Sequence, residues 1–530
     1  MTQKIAVFGG GIGGLTVAHQ LSKFPQYEIN IYEKKDVIGG LARSSRDDTK
    51  CVSEYCWRAY FDFYDNLFGI MREIPLIEDP SKSVIDNLTN CSNTNFSDKE
   101  FTLKDKIIGV KKILYGVTSC DGRLDLLDNI SWWKSLEGTD NSNLYRATSS
   151  WLGGNRYRCS YKSVIKVGME MDIIPKLYHN YMNYVTTQPT SEAWFRHWQK
   201  HLTDNNVKIH FNTQLEKVDI VNNKIISATL STGEVITADY YVFALPVEIL
   251  DIIIARTPEL QQGQLLNINE LKHLGFQMQL SFQVYFDRSI SLGINPGRGK
   301  NNTFFIIDSP WDVVVLQYDK IYKGVELCKD ISSAKGGWSV AVCTPDSVGI
   351  VYGKPFYRCT YDEIITELWQ QMYTCKSLQK KIYEENGYTM EEDMVIKWSP
   401  MWPGYAYIDG MIKTNEPKFT NNAKTGALRP SIRTHIPNLF IATGYCREAI
   451  DIFSTDAAAS SGKSVAYAIH GPELEQATVR RRPIIFAPFR AIDEVMFSNN
   501  LPNINPAIIF SFIFFVIVLV TYYLYQKIKR

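Results

Sequence analysis

Hydrophobic positions near the N-terminus fall into short runs separated by turn residues. The apolar run Ile5 to Phe8 breaks directly into glycines at positions 9, 11 and 14, and helix-forming residues begin at Leu15. A second strand pattern, Glu28 to Tyr32, ends at Glu33. This order predicts strand, tight turn, helix and strand, which is the opening unit of a doubly wound α/β fold.

The rest of the chain alternates between strand and helix patterns. A polar run without periodicity, Pro80 to Asp105, predicts a surface loop. Helical periodicity predicts helices at Lys106 to Tyr115, Asp172 to Val185, Ser191 to Leu202, Asp362 to Tyr373 and Ser454 to Ile469. Strand patterns are Val207 to Phe211, a meander to Pro246 with turns at Asn222-Asn223 and Thr232-Gly233, Tyr240 to Ala244, and Asn438 to Ala442.

The first glycines have the G-x-G-x-x-G spacing of a dinucleotide-binding turn. In such turns Gly9 makes the bend, Gly11 lets the backbone approach a pyrophosphate, and Gly14 lets helix and strand pack closely. The amides at the start of the helix attract phosphate. An acid at Glu33 accepts hydrogen bonds from an adenosine ribose and disfavours a 2′-phosphate, so FAD or NAD is expected rather than NADP.

Composition narrows the classes of function. A chain of 530 residues with 45% hydrophobic and 13% aromatic residues is expected to form two or three domains. The net charge of +1 gives no attraction to nucleic acid, and no nucleic-acid partner is expected. Ten cysteines without C-x-x-C or metal-finger spacing are expected to be reduced, mostly buried thiols, and no metal site is expected.

The segment after residue 53 is rich in aromatic residues, which either fill a core or line an apolar wall. The core interpretation is favoured, and the residues are Trp57, Tyr60, Phe61, Phe63, Tyr64 and Phe68.

The C-terminal segment predicts a membrane anchor at residues 506–526. Ala507 to Tyr525 is nineteen mostly apolar residues without a charge, and a helix of this length spans roughly 28 Å. The expectation is a single-pass membrane protein with its globular part in the cytosol. The upstream basic run, Arg480 to Arg482, is expected to face anionic lipid.

Beyond Glu33, the segment Gly39-Gly40-Leu41-Ala42-Arg43-Ser44 resembles the GG-doublet flavoproteins, which include flavin amine oxidases, protoporphyrinogen oxidases and carotenoid desaturases. Three further segments, Glu54 to Pro75, Glu416 to Tyr445 and Asp451 to Ile469, resemble the branch of phytoene desaturases and hydroxysqualene dehydroxylase. The resemblance implies an FAD cofactor.

The resemblance also implies a domain plan and a set of cofactor contacts. The fold class is α/β, with a discontinuous Rossmann-type FAD-binding domain (residues 1–85, 206–250 and 416–470), an inserted α+β substrate domain (86–205 and 251–415) and a linker (471–505). In this family Arg43 would lie along the pyrophosphate and ribityl chain, Val218 would meet the adenine, and Ser454, Thr455 and Asp456 would lie near the flavin. The full set of implied FAD contacts is Gly9, Gly11, Ile12, Gly13, Gly14, Glu33, Lys34, Gly40, Leu41, Ala42, Arg43, Val218, Gly444, Thr455 and Asp456.

One position departs from the family pattern. Where the family has Ala-Gly-Asp after the last strand, this chain has Ala442-Thr443-Gly444. The missing aspartate removes one charge-assisted hydrogen bond to the cofactor, on the order of 1.5 to 3 kcal/mol. Asp451 and Asp456 are the candidates to replace it.

The leading hypothesis is a membrane-anchored FAD-dependent oxidoreductase that transfers hydride between flavin and a lipophilic, isoprenoid-like substrate. One alternative is a flavin amine oxidase, whose aromatic cage would come from Trp402, Tyr405 and Tyr407. Another is a catalytically weak FAD-binding membrane protein. The sequence assigns no catalytic residue and no electron acceptor.

Overall fold

The computed structural model describes the whole chain except residues 1, 57, 100–101, 137–151, 153, 179–182, 296–298, 301, 448–449, 510, 512–518 and 522–530. Its strands are, in chain order, β1 (Gln3–Phe8), β2 (Tyr27–Tyr32), β3 (Ser44–Arg46), β4 (Val52–Glu54), β5 (Leu88–Cys91), β6 (Asn93–Phe96), β7 (Asn183–Thr186), β8 (Lys208–His210), β9 (Leu215–Val221), β10 (Lys224–Leu230), β11 (Val235–Ile236), β12 (Tyr240–Phe243), β13 (Phe276–Gln277), β14 (Ser281–Phe286), β15 (Ile294–Asn295), β16 (Gly299–Lys300), β17 (Thr303–Ile306), β18 (Val313–Gln317), β19 (Gly336–Val342), β20 (Val395–Trp398), β21 (Tyr405–Ile408), β22 (Met411–Thr414), β23 (Lys418–Phe419) and β24 (Leu439–Ile441).

The described part of the chain also contains helices of eight or more residues. They are Ile12–Leu21, Asp65–Glu73, Leu103–Val117, the π-helical Val164–Ile173, Arg196–Asp204, Val247–Arg256, Ile268–Gly275, Tyr361–Tyr373, Lys376–Asn386, Thr455–His470 and Ala487–Ser498.

A five-stranded parallel sheet forms the nucleotide-binding type of fold that the N-terminal pattern predicts. Its order is β24-β12-β1-β2-β8, so strands from three distant parts of the chain pair side by side. The helix Ile12–Leu21 follows β1, as predicted, and packs against the closing helix, Thr455–His470. Small residues allow this approach, since a Cβ at Gly462 would lie 2.6 Å from the Gly13 carbonyl oxygen.

The meander predicted after β8 is confirmed as a three-stranded antiparallel sheet, β9 to β11. Asn222 and Asn223 have φ of 49° and 58°, the left-handed pair that a tight hairpin turn requires. The predicted buried strand at Tyr240 is β12.

The inserted domain is built on a six-stranded sheet of order β20-β14-β19-β18-β17-β6, antiparallel except for the β17 and β6 pair. Every residue of β14 and β19 is buried. The helix Tyr361–Tyr373 begins with a capping box in which Thr360 and Glu363 satisfy each other's backbone amides. The sequence predicts this helix within one residue.

Two predictions in the inserted domain are wrong. The polar run at 80–105, predicted as a loop, contains β5 and β6, which pair with β7 and β17. The helix predicted for residues 172–185 instead ends at Tyr178 as the continuation of the π-helical segment, and residues 183–186 form β7. In both places pairing with a distant strand overrides the local pattern.

Cysteine pairing also differs from the expectation. Cys51 and Cys328, which lie 277 residues apart, form a disulfide, so the expectation that all ten cysteines are reduced is wrong. The other eight are free and buried, as predicted. The disulfide joins the chain next to β4 to the loop before β19.

The expected membrane localisation is corrected. No helix in the described part of the chain is long and apolar enough to cross a bilayer, and most of the proposed anchor at 506–526 lies outside the described residues. Two of the three arginines expected to face lipid form ion pairs within the chain, Arg480 with Asp65 and Arg482 with Glu170, while Arg481 is exposed. The predicted linker at 471–505 contains the helix Ala487–Ser498, whose buried Asp493 binds Arg123.

Candidate functional site

A deep cleft opens where the chain leaves the carboxyl ends of β1, β12 and β24. This edge of a parallel sheet is the usual ligand site of open α/β folds. The cavity volume is about 310 Å³, and one side of it is formed by the glycine loop Gly9 to Gly13 together with Gly40 to Arg43.

The glycine loop has the space that a pyrophosphate needs. A Cβ added to Gly11 would meet no atom within 4 Å, so the backbone there faces open cleft. A Cβ at Gly9 would lie 2.4 Å from the Ala244 carbonyl oxygen, and one at Gly13 would lie 2.0 Å from that of Ala442. The following helix has no side-chain cap and no acid in its first turn, so its end is positive and open to an anion. These residues therefore fit the phosphates of a dinucleotide.

Glu33 stands at the end of β2, where the sequence places the ribose acceptor. Its carboxylate accepts hydrogen bonds from the Gly10 amide at 2.7 Å and the Lys35 amide at 2.9 Å, which fix its position at the cleft wall. Lys34 also lines the cleft and is exposed at the rim.

Arg43 belongs to a buried ionic cluster that sequence reasoning missed. Its guanidinium donates to the Gly40 carbonyl oxygen at 2.7 Å and to both carboxylate oxygens of Glu416 at 3.0 and 3.1 Å, and it stacks over Trp402. Lys35 and the indole N–H of Trp402 also donate to Glu416. Burial raises the pKa of Glu416, but these donors outweigh it and the net pKa is lowered. The cluster fixes Arg43 at the cleft wall.

Val218, the predicted adenine contact, does not line the cleft. It is buried in β9, and its backbone N–H and C=O both face the hydroxyl of Thr257 at 3.4 Å. Gln214 and Leu215, four and three residues earlier, line the cleft at this wall. At this wall the structure places Leu215, and not Val218, on the cleft.

The predicted contacts at the closing helix divide into two groups. Ser454 and Thr455 line the cleft, and the Ser454 side chain also accepts from the Ala457 amide and caps the helix. Asp456 faces away from the cleft and accepts from the Leu67 amide at 2.7 Å. Gly14 also lies outside the cleft, against the Gly9 carbonyl oxygen, in the packing role predicted for it.

Asp456→Asn is expected to flatten the pH dependence of stability between about pH 4 and pH 7. Burial raises the pKa of Asp456 from 3.8 to about 7, so the folded chain holds a proton that the unfolded chain releases. The wild type therefore loses stability as pH rises through this window, by up to about 1.4 kcal/mol per pH unit. The amide of the variant does not titrate, so the variant does not lose stability in this way as pH rises. Melting temperatures of both proteins across the window test it, and parallel curves would contradict it.

The space around Gly444 is too tight for the aspartate that the family has at this position. Gly444 lines the cleft, and a Cβ there would lie 3.1 Å from the Phe453 ring and 3.2 Å from the Ser454 carbonyl oxygen. An aspartate therefore needs Phe453 to move. Asp451 forms a buried ion pair with Arg429 instead of facing the cleft, and neither it nor Asp456 lines the cleft in place of the missing side chain.

The part of the cleft lining that includes residues 55–64 and 418–419, called here the inner half, is mainly aromatic and aliphatic. Tyr60, Phe61 and Tyr64 line it, whereas Phe63 and Phe68 fill the core, so the aromatic segment serves both predicted roles; Trp57 lies outside the described residues. The inner half is formed by Tyr55, Cys56, Arg58, Ala59, Tyr60, Phe61, Tyr64, Leu152, Lys418, Phe419, Ile452 and Phe453.

The aromatic cage proposed for an amine oxidase is not assembled at the described cleft wall. Trp402 is buried against Glu416 and Arg43, and the Tyr405 hydroxyl shares a 3.1 Å hydrogen bond with that of Tyr55. Tyr407 is exposed on the β21 hairpin. Tyr55, which contacts Tyr405, lines the cleft, whereas Trp402, Tyr405 and Tyr407 do not.

Two family models match separate parts of the chain. An NAD(P)-binding Rossmann-like domain matches residues 7–74, and a flavin-containing amine oxidoreductase matches residues 190–318. No curated protein compared with the chain matches it in sequence.

Solved structures share the fold at low sequence identity. A putrescine oxidase bound to putrescine has a TM-score of 0.57 at 12% identity, over 88% of this chain and 99% of its own. An oxidoreductase from Methanosarcina mazei has 0.54 at 13%, over 87% and 99%. A candidate protoporphyrinogen oxidase from Exiguobacterium sp. 255-15 has 0.54 at 14%, over 88% and 99%.

The match to the flavin-containing amine oxidoreductase model supports an FAD-dependent oxidoreductase with FAD as cofactor. The solved structures show that the fold is shared. The narrower branch of phytoene desaturases is not confirmed by them.

Proposed function

We propose that this chain, an FAD-dependent oxidoreductase of the amine oxidoreductase superfamily, transfers hydride between its flavin and a lipophilic, isoprenoid-like substrate. The observation that carries this proposal is the make-up of the inner half. FAD supplies the hydride chemistry when bound, and the protein contributes binding, orientation and exclusion of water.

On the glycine side of the cleft, different residues would bind different parts of FAD. The open backbone at Gly11 and the start of the following helix would receive the pyrophosphate, and Glu33 would accept from the ribose. Arg43, held by Glu416, adds a fixed positive charge beside them. Substrate would then occupy the inner half, enclosed by aromatic side chains.

The charges of the inner half disfavour a cationic substrate. Its described charged residues are Arg58 and Lys418, both cations. Arg58 donates to the Leu41 carbonyl oxygen and lies 3.8 Å from the Glu54 carboxylate, whereas Lys418 donates to the neutral Gln279 side chain at 2.5 Å. A protonated amine would meet the like charge of Lys418 there, whereas an uncharged chain would bury apolar surface against Tyr60, Phe61 and Phe453.

A flavin amine oxidase is the second candidate. The match to the flavin-containing amine oxidoreductase model over residues 190–318 favours it. The fold shared with putrescine oxidase is compatible with it.

An anaerobic flavin titration separates the two candidates. The FAD-loaded chain is mixed with polyprenoids in detergent or with a panel of amines, and the visible flavin absorbance is followed. We expect bleaching by a saturated or partly saturated polyprenoid, or reoxidation of chemically reduced flavin by a polyunsaturated one, and no response to amines. Bleaching by amines alone would contradict the proposal. Retained flavin without response in either direction would instead indicate a catalytically weak FAD-binding protein.

A further inference from the structure

A small polar chamber lies directly behind the inner half. It shares Leu152, Lys418, Ile452 and Phe453 with the inner half, and its polar wall is formed by Lys418, Ser163 and residues 420–422. Its volume is about 10 Å³, which is the space of one water-sized group. The chamber can therefore take one polar group of a molecule whose remainder occupies the cleft.

One atom of this wall has unused hydrogen-bonding capacity. Asn421 is 7% exposed, and its Oδ1 atom has no hydrogen-bond partner within the described part of the chain. The neighbouring polar groups are engaged: the Thr420 hydroxyl donates to Gln277, and the Asn422 amide donates to the Leu274 carbonyl oxygen. Buried polar atoms in folded proteins are almost always paired, so an unpaired one indicates a missing partner.

The direction of the Asn421 amide is fixed by Asp451. The Nδ2 atom of Asn421 lies 3.3 Å from Asp451 Oδ1, and Arg429 pairs with the same carboxylate. Burial raises the pKa of Asp451, but Arg429, Lys162 and Lys166 outweigh it and keep the net pKa low, so this carboxylate only accepts hydrogen bonds. The amide nitrogen must face Asp451, and the free position on Asn421 is an acceptor.

We propose that Asn421 Oδ1 is a specificity-determining acceptor that binds a single O–H or N–H donor at the end of an otherwise apolar substrate. This assignment rests on the proposed function, because it requires an apolar molecule in the inner half. It deepens that function by naming the one polar group such a substrate carries. The alternative source of the donor is a buried water.

The test uses the full-length chain loaded with FAD and two probes of nearly equal shape, 1-dodecanol and 1-fluorododecane. Fluorine matches the hydroxyl in size and has no proton to donate. Binding is followed by the perturbation of the visible flavin spectrum. We expect the alcohol to bind the wild type about tenfold more tightly, the effect of one satisfied buried acceptor, and Asn421→Leu to bind both probes equally. Cys159→Ala, which changes the same chamber without removing the acceptor, should keep the preference.

The outcomes separate the two proposals. Equal binding of both probes by the wild type would overturn the donor subsite and indicate that a water serves Asn421. A preference that persists in Asn421→Leu would also overturn it. The wild-type comparison decides the matter even where the leucine variant fails to fold. Binding of neither probe by FAD-loaded protein would overturn the apolar substrate itself, and the assignment with it.

Discussion

Gly11→Val is expected to weaken FAD binding strongly while the fold is retained. Gly11 has φ of −80°, which valine adopts without strain, and the added side chain enters open cleft rather than protein. It would occupy the place where a pyrophosphate approaches the backbone. Loss of two charge-assisted hydrogen bonds, about 3 kcal/mol together, corresponds to a dissociation constant raised about 100-fold or more. Titration of FAD against protein fluorescence measures it.

Gly69→Val is the matched control for that variant. Gly69 lies in the helix Asp65–Glu73, also with no atom within 4 Å of an added Cβ, but outside the cleft. The Gly69→Val variant should bind FAD as tightly as the wild type does. Gly11→Val with wild-type affinity and an unchanged melting temperature would show that the cofactor does not use this loop.

Glu416→Ala is expected to lower the free energy of unfolding by about 3 kcal/mol or more. The substitution leaves Arg43 buried without its carboxylate partner and removes the acceptor of the Trp402 indole. Because the net pKa of Glu416 is lowered on folding, its contribution is present above about pH 4.5 and is lost as pH falls through the folded pKa. The difference in melting temperature between wild type and variant should therefore shrink in acid.

Glu384→Gln supplies the control for Glu416→Ala. Glu384 forms a surface pair with Lys380 at 4.0 Å, and exposed pairs of this kind contribute little. We expect an unchanged melting temperature at every pH. A Glu416→Ala variant as stable as Glu384→Gln would mean that the cluster around Arg43 does not stabilise the fold.

The sequence predicts the parts of the site that depend on local spacing. The turn at Gly9, the open backbone at Gly11 and the acid at Glu33 follow from a few consecutive residues, and the structure places all of them at one cleft. The capped helix after Thr360 is predicted for the same reason, since a cap and a periodic apolar face are local signals.

The parts that the sequence does not predict depend on contacts between distant residues. Glu416 reaches Arg43 across 373 positions, and Cys51 reaches Cys328 across 277. Neither contact has a signal in the local sequence from which it could be predicted. Leu215 lines the cleft and Val218 does not, because the packing of the meander beside the parallel sheet decides which of its residues reach the cleft wall.

FAD binding at the glycine loop is tested most directly by measuring the flavin content of the full-length chain. Purified protein is reconstituted with FAD, separated from free cofactor, and its visible spectrum is compared with its protein concentration. We expect about one FAD per chain for the wild type and for Gly69→Val, and almost none for Gly11→Val. Wild-type protein that is folded but retains no flavin would contradict this expectation.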